Sequence, residues 1–189
     1  MKNRPELYFE NDTAWREWLS QNHDQADGAY LIFYRVTSEQ PSMRWEEAVR
    51  VALCYGWIDS TVKKIDEDKR RQLFTPRKAK SAWSKINKTH ITELIELGLM
   101  HESGLKVIEN AKEDGTWTSL DDVEELTMPD DLQAAFETNP IAYSHYEAFS
   151  RSYRKSYLYW LNSAKRQETR DKRITEIIRL CQANVKSRT

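Results

Sequence analysis

Cysteine is scarce in this chain: its 189 residues contain only Cys54 and Cys181. Both lie in apolar helical patterns, and neither belongs to a CxxC motif or pairs with a histidine at metal-ligand spacing. The four histidines are scattered along the sequence. We therefore expect two buried, reduced thiols, with no metal site and no cofactor. A chain of this length can bury roughly 70% of its unfolded surface, so it needs no crosslink to be stable.

Long hydrophobic runs are also missing. No segment approaches the roughly 20 apolar residues that are needed to span a bilayer. Residues 1–5 continue into acidic residues without the apolar stretch of a signal peptide. Hydrophobic residues make up 39% of the chain, and seven Trp and nine Tyr are among them, which a disordered chain would lack. The sequence predicts a globular protein of the cytoplasm that does not insert into a membrane.

Glycine occurs five times and forms no glycine-rich phosphate loop. Catalytic arrangements are equally sparse. No two carboxylates stand at a spacing that suggests an acid/base dyad. His90 and His145 have no serine or cysteine arrangement that would define a triad. Cys54 falls near a predicted helix C-terminus, whose dipole disfavours a thiolate. We predict no catalytic residues, and the sequence favours a protein that is not an enzyme.

Charge is balanced overall but segregated along the chain. The net charge is −1, yet residues 1–60 carry −4, 61–90 carry +7, 91–150 carry −12 and 151–189 carry +8. Opposite blocks can neutralise each other within the fold, with each exposed pair contributing little to stability. Alternatively, the two basic blocks form one positive face for an anionic partner. The sequence leaves both interpretations open.

The first half of the chain alternates between helical and extended patterns. Residues 29–36 are rich in β-branched and aromatic side chains and predict a strand that is covered on both faces. Ser42 is the expected N-cap of the next helix, Trp45 lies on the apolar stripe of that helix, and Gly56 is expected at its C′ position. The predicted elements are a helix at 12–22, a strand at 29–36, a helix at 43–55 and a hairpin of strands 57–65 and 69–75.

From Ser81 onward the patterns are helical. We expect Trp117 to fix the acidic connection 116–129 to the core, and Thr169 to cap the last helix. The predicted helices are 83–97, 103–113, 130–138, 140–149, 152–166 and one that follows Thr169. The predicted fold class is α+β: a small three-stranded β-α-β-β sheet with N-terminal helices, followed by an all-helical second half. We expect one domain over 1–189, with an α/β part at 1–80 and a helical part at 81–189.

The best candidate for a binding surface is the basic segment that joins the hairpin to the helical half. It comprises a strand end, a turn fixed by Pro76 and a helix N-terminus, where free N–H groups can bind an anion such as phosphate or carboxylate. In the alternative, Ser81 only caps the helix, Trp83 is core and the cations are solvated. If Trp83 is available, it can stack on a base or another planar group. The candidate residues are Arg77, Lys78, Ser81, Trp83, Ser84 and Asn87.

Asp59 is the most interesting acid, and Trp57 and Lys63 accompany it as supporting residues. It begins a predicted strand, where Lys63 or Arg77 on a neighbouring strand can pair with it. We consider a structural ion pair a better interpretation of Asp59 than a catalytic carboxylate. As a surface residue, Arg77 is expected to tolerate replacement by alanine.

Several ordered motifs resemble the YdeI/OmpD-associated proteins, a family labelled bacteriocin-protection. The motifs run from residue 12 to about residue 180 and include Gly56-Trp57-Ile58-Asp59-Ser60, Ser81-Ala82-Trp83-Ser84-Lys85-Ile86-Asn87, Gly115-Thr116-Trp117, and Glu168-Thr169-Arg170. The resemblance implies a role in tolerance of antimicrobial peptides or in association with a porin, and it implies no catalytic set. The expected absence of a signal peptide favours a cytoplasmic role that affects tolerance.

Three functions are therefore compatible with the sequence. The first is a non-enzymatic, intracellular stress-tolerance protein that binds an anionic small molecule or nucleic acid at its basic segment. The second is an enzyme that acts on a small phosphorylated or carboxylated metabolite, with Asp59 as its acid or base. The third is a structural or interaction protein whose charge blocks neutralise each other.

Overall fold

The computed structural model describes residues 4–187, which form two compact units, the first ending at Thr118 and the second beginning at Ser119. The first unit contains β1 (Glu6–Tyr8), α1 (Asp12–Asn22), β2 (Ala29–Tyr34), α2 (Trp45–Cys54), β3 (Trp57–Lys64), β4 (Lys69–Pro76), α3 (Lys85–Glu96) and α4 (Glu102–Glu113). The second contains α5 (Asp121–Glu125), α6 (Asp130–Glu137), α7 (Pro140–Ala148), α8 (Arg151–Asn162) and α9 (Gln167–Gln182). The predicted α+β class is confirmed.

The sheet has the order β1-β2-β4-β3, with β1 parallel to β2 and the remaining pairs antiparallel. The predicted hairpin and its pairing with residues 29–34 are confirmed. The prediction of three strands was wrong, because Glu6–Tyr8 adds a fourth strand beside β2. Three residues are too few to show the alternation by which a strand is recognised in a sequence. The sheet is therefore mixed and has four strands.

Only one face of β2 is fully buried. Ala29, Leu31 and Phe33 belong to the core, whereas the residues between them are half-buried. The expectation that both faces are covered was wrong, and the half-buried positions include Tyr30 and Tyr34, whose rings tolerate contact with water at the hydroxyl end. Against the buried face, α1 places Trp15, which lies edge-on to Trp57, with 6.3 Å between the ring centroids.

Helix α2 ends where the sequence predicted, at Gly56, whose φ of +74° suits glycine. Its start differs from the prediction. The Ser42 hydroxyl accepts a hydrogen bond from the Tyr34 amide at 3.1 Å, so it joins the loop to β2, and Arg44 is the N-cap. Trp45 is 42% exposed and does not lie on the buried stripe, which is formed by Ala48, Val49, Ala52 and Leu53.

Steric contact with the end of α2 makes glycine necessary in α4. A β-carbon on Gly104 would lie 2.2 Å from the Cys54 carbonyl oxygen. Trp117 packs against the same core, with its ring centroid 5.1 Å from that of Trp83, as predicted for the acidic connection. That connection also contains the short helix α5, which the sequence analysis missed.

The second unit has a core of its own. Helices α8 and α9 contribute to it, so the C-terminal helices are packed as predicted. Helix α9 begins at Gln167, so Thr169 lies inside it and does not cap it. No helix between residues 4 and 187 has the length and apolar character that a membrane crossing requires. The buried residues are Val123, Leu132, Phe136, Ala142, Tyr146, Phe149, Tyr157, Leu158, Leu161, Ile177, Leu180 and Cys181.

Candidate anion-binding site

Arg77 follows β4 and is held at both its backbone and its side chain. Its amide donates to the Gly56 carbonyl at 2.9 Å, which continues the pairing of β4 with the start of β3. The guanidinium carbon lies 3.6 Å from the centre of the Trp83 ring, and Nη2 donates to the Ala82 carbonyl. Arg77 is half-buried by these contacts. The expectation that Arg77 is a surface residue was therefore wrong.

Two nitrogens of the Arg77 guanidinium have unmet hydrogen-bonding capacity. Nε and Nη1 are buried, and neither has a hydrogen-bond partner within the described part of the chain. Burial lowers the pKa of Arg77 to about 10, and the negative charge of Asp59 opposes this shift. No described carboxylate lies within 4 Å of the guanidinium. Arg77 is thus a half-buried cation whose N–H groups are only partly satisfied, an arrangement that disfavours the charged form.

Trp83 lies just before α3 and is only 2% exposed. It contacts Arg77 and Trp117, and at this low exposure it has no face open for stacking on a base. Helix α3 begins at Lys85, two residues later than predicted. Ser84 is its N-cap, and the Ser84 hydroxyl accepts a hydrogen bond from the Asn87 amide at 3.3 Å. One N–H of the predicted anion site is therefore already bound.

Ser81 belongs to the turn before α3. Its hydroxyl donates to the Lys78 carbonyl at 2.7 Å, so it stabilises the turn and does not cap the helix. A cavity of about 140 Å³ opens beside this turn. Of the six predicted site residues, the cavity wall includes four: Arg77, Lys78, Ser81 and Trp83. Ser84 and Asn87 are not among its lining residues.

Other lining residues of this cavity were not predicted. Lys80 comes from the same turn, whereas Asn110, Asp114 and Thr116 come from α4 and the residues after it. Hydrogen bonds from Thr116 hold the pKa of Asp114 below its usual range, and the charge of Lys80 contributes to this effect. The Asp114 Oδ1 atom accepts both of these hydrogen bonds. No sequence pattern links residues 110–116 to the basic turn, since only tertiary packing brings them together.

Asp59 lies on β3, and two donors hold its carboxylate. The Asp59 Oδ2 atom accepts hydrogen bonds from Trp45 Nε1 at 3.0 Å and from the side-chain amide of Gln72. Gln72 is buried, and no described group donates to its Oε1. Trp57, the other supporting residue, is buried and donates to the His23 carbonyl at 3.1 Å. These contacts give Asp59 a structural environment.

The predicted pairing of Asp59 with Lys63 does not occur. Asp59 is opposite Phe74 and Val62 is opposite Gln72, so β3 uses three residues where β4 uses two. This bulge changes which residues share a face, because side chains alternate along a strand. Lys63 therefore lies on the opposite face of the sheet from Asp59, where it is paired in register with Arg71.

Both units contain ion pairs. In the second unit, basic residues of 151–189 pair with acids of 91–150: Arg154 with Glu147 at 3.0 Å, Lys155 with Glu124 at 2.6 Å, and Arg170 with Asp131. In the first unit, Lys69 pairs with Asp66 at 3.6 Å. However, Arg44, Arg70 and Arg77 have no described carboxylate within 4 Å.

Groups that support metal binding or nucleophilic chemistry do not cluster in the described range. No set of three or more His, Cys, Asp or Glu side chains within residues 4–187 is arranged to hold a metal ion. Both cysteines are buried and free. Burial raises the pKa of the Cys54 thiol despite a hydrogen bond from Arg16, and it raises that of Cys181 to about 12. Neither thiol is poised to form a thiolate.

Two families match this chain over separate ranges. Residues 7–107 match a family described as Domain of unknown function (DUF8412), and residues 125–184 match the family described as Bacteriocin-protection, YdeI or OmpD-Associated. Neither the curated proteins nor the solved structures gave a match. The resemblance to the YdeI/OmpD-associated proteins is thus confirmed in the C-terminal region. The chain belongs to the DUF8412 family through its first unit and carries a YdeI/OmpD-associated domain in its second.

Proposed function

We propose that the first unit is a non-enzymatic binding domain that holds a small anion in the cavity beside Arg77. The observation that carries this proposal is the pair of buried guanidinium nitrogens, Nε and Nη1, without hydrogen-bond partners. A phosphate or carboxylate oxygen would supply the acceptors that the protein does not. Charge-assisted hydrogen bonds of this kind are about twice as strong as neutral ones.

The surroundings of Arg77 support an anion over a neutral ligand. Lys78 and Lys80 line the same cavity, and the Ser81 hydroxyl is close by. Asp114 is the one acid in the lining, and its Oδ1 atom already accepts two hydrogen bonds from Thr116. The cavity volume of about 140 Å³ suits a small anion better than a polymer. Because Trp83 is buried, base stacking gives no support for nucleic acid as the ligand of this segment.

The environment of Asp59 favours binding over catalysis. A general acid or base must present its carboxyl group to a substrate. Asp59 instead accepts from two side chains of its own fold, Trp45 and Gln72. Both hydrogen bonds fix the Asp59 Oδ2 atom within the fold. We therefore place a binding protein ahead of an enzyme.

The cellular setting that we propose is the cytoplasm, where such a binding protein would contribute to stress tolerance. Two free, buried thiols suit a reducing compartment. The family that matches the C-terminal region is described as bacteriocin-protection. Binding of an internal anionic ligand is compatible with that description and does not require direct contact with a porin.

The test is a titration of the ¹⁵N-labelled protein with inorganic phosphate. We expect the amide signals of residues 77–85 to shift, and we expect salt to weaken the effect through screening. Lys78→Ala should reduce the affinity without affecting the fold, since Lys78 is exposed. Lys106→Ala, an exposed lysine on α4 outside the cavity lining, is the matched control.

The role of Arg77 in phosphate binding is best tested with a conservative replacement. Alanine would remove the cation–π contact with Trp83 and is expected to destabilise the unit. Arg77→Lys retains a charge but loses the planar donor set, so it should bind phosphate more weakly while remaining folded. If phosphate leaves residues 77–85 unmoved in the folded wild type, the basic segment is structural and the third hypothesis replaces this one.

A further inference from the structure

The first unit contains a second, larger cleft that shares no lining residue with the cavity beside Arg77. Its volume is about 470 Å³, within the range of small-molecule sites. The end of β2, the β3–β4 turn and the start of α2 form its walls. Its apolar residues include Phe33, Met43, Trp45 and Val62.

Trp45 gives this cleft an aromatic surface in a fixed orientation. Of the seven tryptophans, all of which lie within residues 4–187, only Trp45 is more than about a third exposed, at 42%. Its Nε1 donates to Asp59 at 3.0 Å, and this bond restrains the indole ring. A ring that is exposed and already oriented loses little entropy when a planar ligand stacks on it.

Cations outnumber acids in the cleft lining. Arg35, Arg44, Lys64, Lys69 and Arg70 face only two carboxylates, Asp66 and Asp68. Asp66 pairs with Lys69 at 3.6 Å, and Asp68 accepts a hydrogen bond from the Ser38 hydroxyl at 2.9 Å. Arg35 and Lys64 share Glu67, which lies in the β3–β4 turn.

Arg44 and Arg70 differ from these paired cations. Neither has a carboxylate within 4 Å among the residues that the structure describes, and both are exposed. The Arg70 guanidinium carbon lies 5.8 Å from the centre of the Phe33 ring, which keeps its charge beside the apolar wall. Two arginines with unused donors thus border the same cleft as an exposed indole ring.

We propose that this cleft binds a small molecule that combines a planar aromatic ring with a phosphate, of the size of a mononucleotide. The ring stacks on Trp45, and Arg44 and Arg70 bind the phosphate. Arginine suits the second role because its planar donor set matches phosphate oxygens. Only a ligand that is both aromatic and anionic would contact Trp45 and the two arginines together. A bare phosphate would leave Trp45 without a contact.

The experiment compares adenosine 5′-monophosphate, adenosine and inorganic phosphate by isothermal titration calorimetry on the full chain. Adenosine 5′-monophosphate should bind more tightly than either fragment and should protect the exposed tryptophan from iodide quenching. The double variant Arg44→Ala/Arg70→Ala should weaken its binding by about tenfold or more. Trp45→Leu should weaken it by about fivefold or more through lost stacking, whereas Trp45→Phe retains most of the affinity.

Lys106→Ala is the control for loss of a surface charge, and circular dichroism verifies that each variant is folded. The proposal is overturned if adenosine binds as tightly as its monophosphate, or if the double arginine variant binds like the wild type. It is also overturned if Lys78→Ala weakens binding of the nucleotide and the Arg44/Arg70 variant does not. That result would place the ligand at Arg77 instead.

Discussion

Three cations of the second unit and three of the first have different surroundings. In the second unit, Arg154, Lys155 and Arg170 each lie against a carboxylate. In the first, Arg44 and Arg70 border a cleft, and Arg77 is half-buried, and none of the three has such a partner among residues 4–187. Both kinds of cation occur in each unit, since Arg50 pairs with Glu93 in the first and Arg173 of the second donates to the Trp160 carbonyl without an acidic partner in the described range. The difference is that two such arginines border one cleft in the first unit, where we expect an anion to bind.

Phe136→Ala should have the largest effect and tests whether the two units are independent. Phe136 is buried beside Tyr146, so its loss should lower the free energy of unfolding of the second unit by about 3–5 kcal/mol. Amide hydrogen exchange should show reduced protection in residues 119–187 and unchanged protection in the first unit. An equal loss of protection in both units would mean that they unfold together.

Gly104→Ala should come next and tests the packing of α4 in the first unit. The added β-carbon would meet backbone atoms of Cys54, which cannot rotate away, so we expect a loss of about 1–3 kcal/mol or more in urea unfolding. Leu105→Ala is the control, because Leu105 is exposed on the same helix and its replacement should change stability by under about 0.5 kcal/mol. Equal midpoints for the two variants would contradict the close contact.

Phosphate should stabilise one unit selectively. At ten times its dissociation constant, it should raise the unfolding free energy of the first unit by about 1.4 kcal/mol. Hydrogen exchange with and without phosphate measures this effect in each unit, and sulfate-free chloride at matched ionic strength is the control. Protection gained mainly in the second unit would reverse the comparison drawn from the cations.

The smallest effect concerns the ion pair of Arg170 and Asp131. Hydrogen bonds from Arg170 hold the pKa of Asp131 below its usual range. The pair therefore stabilises the fold above the unfolded pKa of about 3.9, and this contribution is lost as pH falls through the lower folded value. Asp131→Asn should cost about 0.2–1 kcal/mol at pH 7 and nothing once the wild-type carboxyl is protonated.

Asp130→Asn is the matched control, since it removes the same charge from the same turn of α6 without breaking a described ion pair. Urea midpoints at pH 7 and in acid measure both variants. If the cost of Asp131→Asn persists in acid, the side chain contributes through packing and not through its charge.

Local signals explain which elements were predictable. Helix α1 has the predicted bounds, and the C-terminus of α2 is where Gly56 indicated it. By contrast, β1 is too short to show a periodicity, and its pairing with β2 depends on residues more than 20 positions away. The burial of Trp45 was also predicted incorrectly. Trp45 fits the periodic stripe of α2, but it is the first residue of the helix and lies beyond the neighbours that bury the stripe.

The candidate site was predictable only in part. The basic turn was evident, and so was the alternative that Trp83 belongs to the core, which the structure supports with 2% exposure. The burial of Arg77 was not evident, because it depends on how the guanidinium packs on Trp83. The contribution of Asn110 and Asp114 was not evident either, because a linear pattern carries no information about which distant helix completes a cavity.

The bulge in β3 determines which residues of that strand lie on the same face of the sheet. Between the pair Asp59–Phe74 and the pair Val62–Gln72, β3 has one more residue than β4. The length of this short stretch therefore decides which side chains reach the cleft. Removing one residue there would give a regular ladder in which Val62 and Lys64 keep Gln72 and Arg70 as partners, whereas adding a residue would widen the bulge or turn Val62 and Lys64 to the other face. In relatives that retain the cleft, we therefore expect a one-residue deletion at positions 60–61 to be tolerated better than an insertion there.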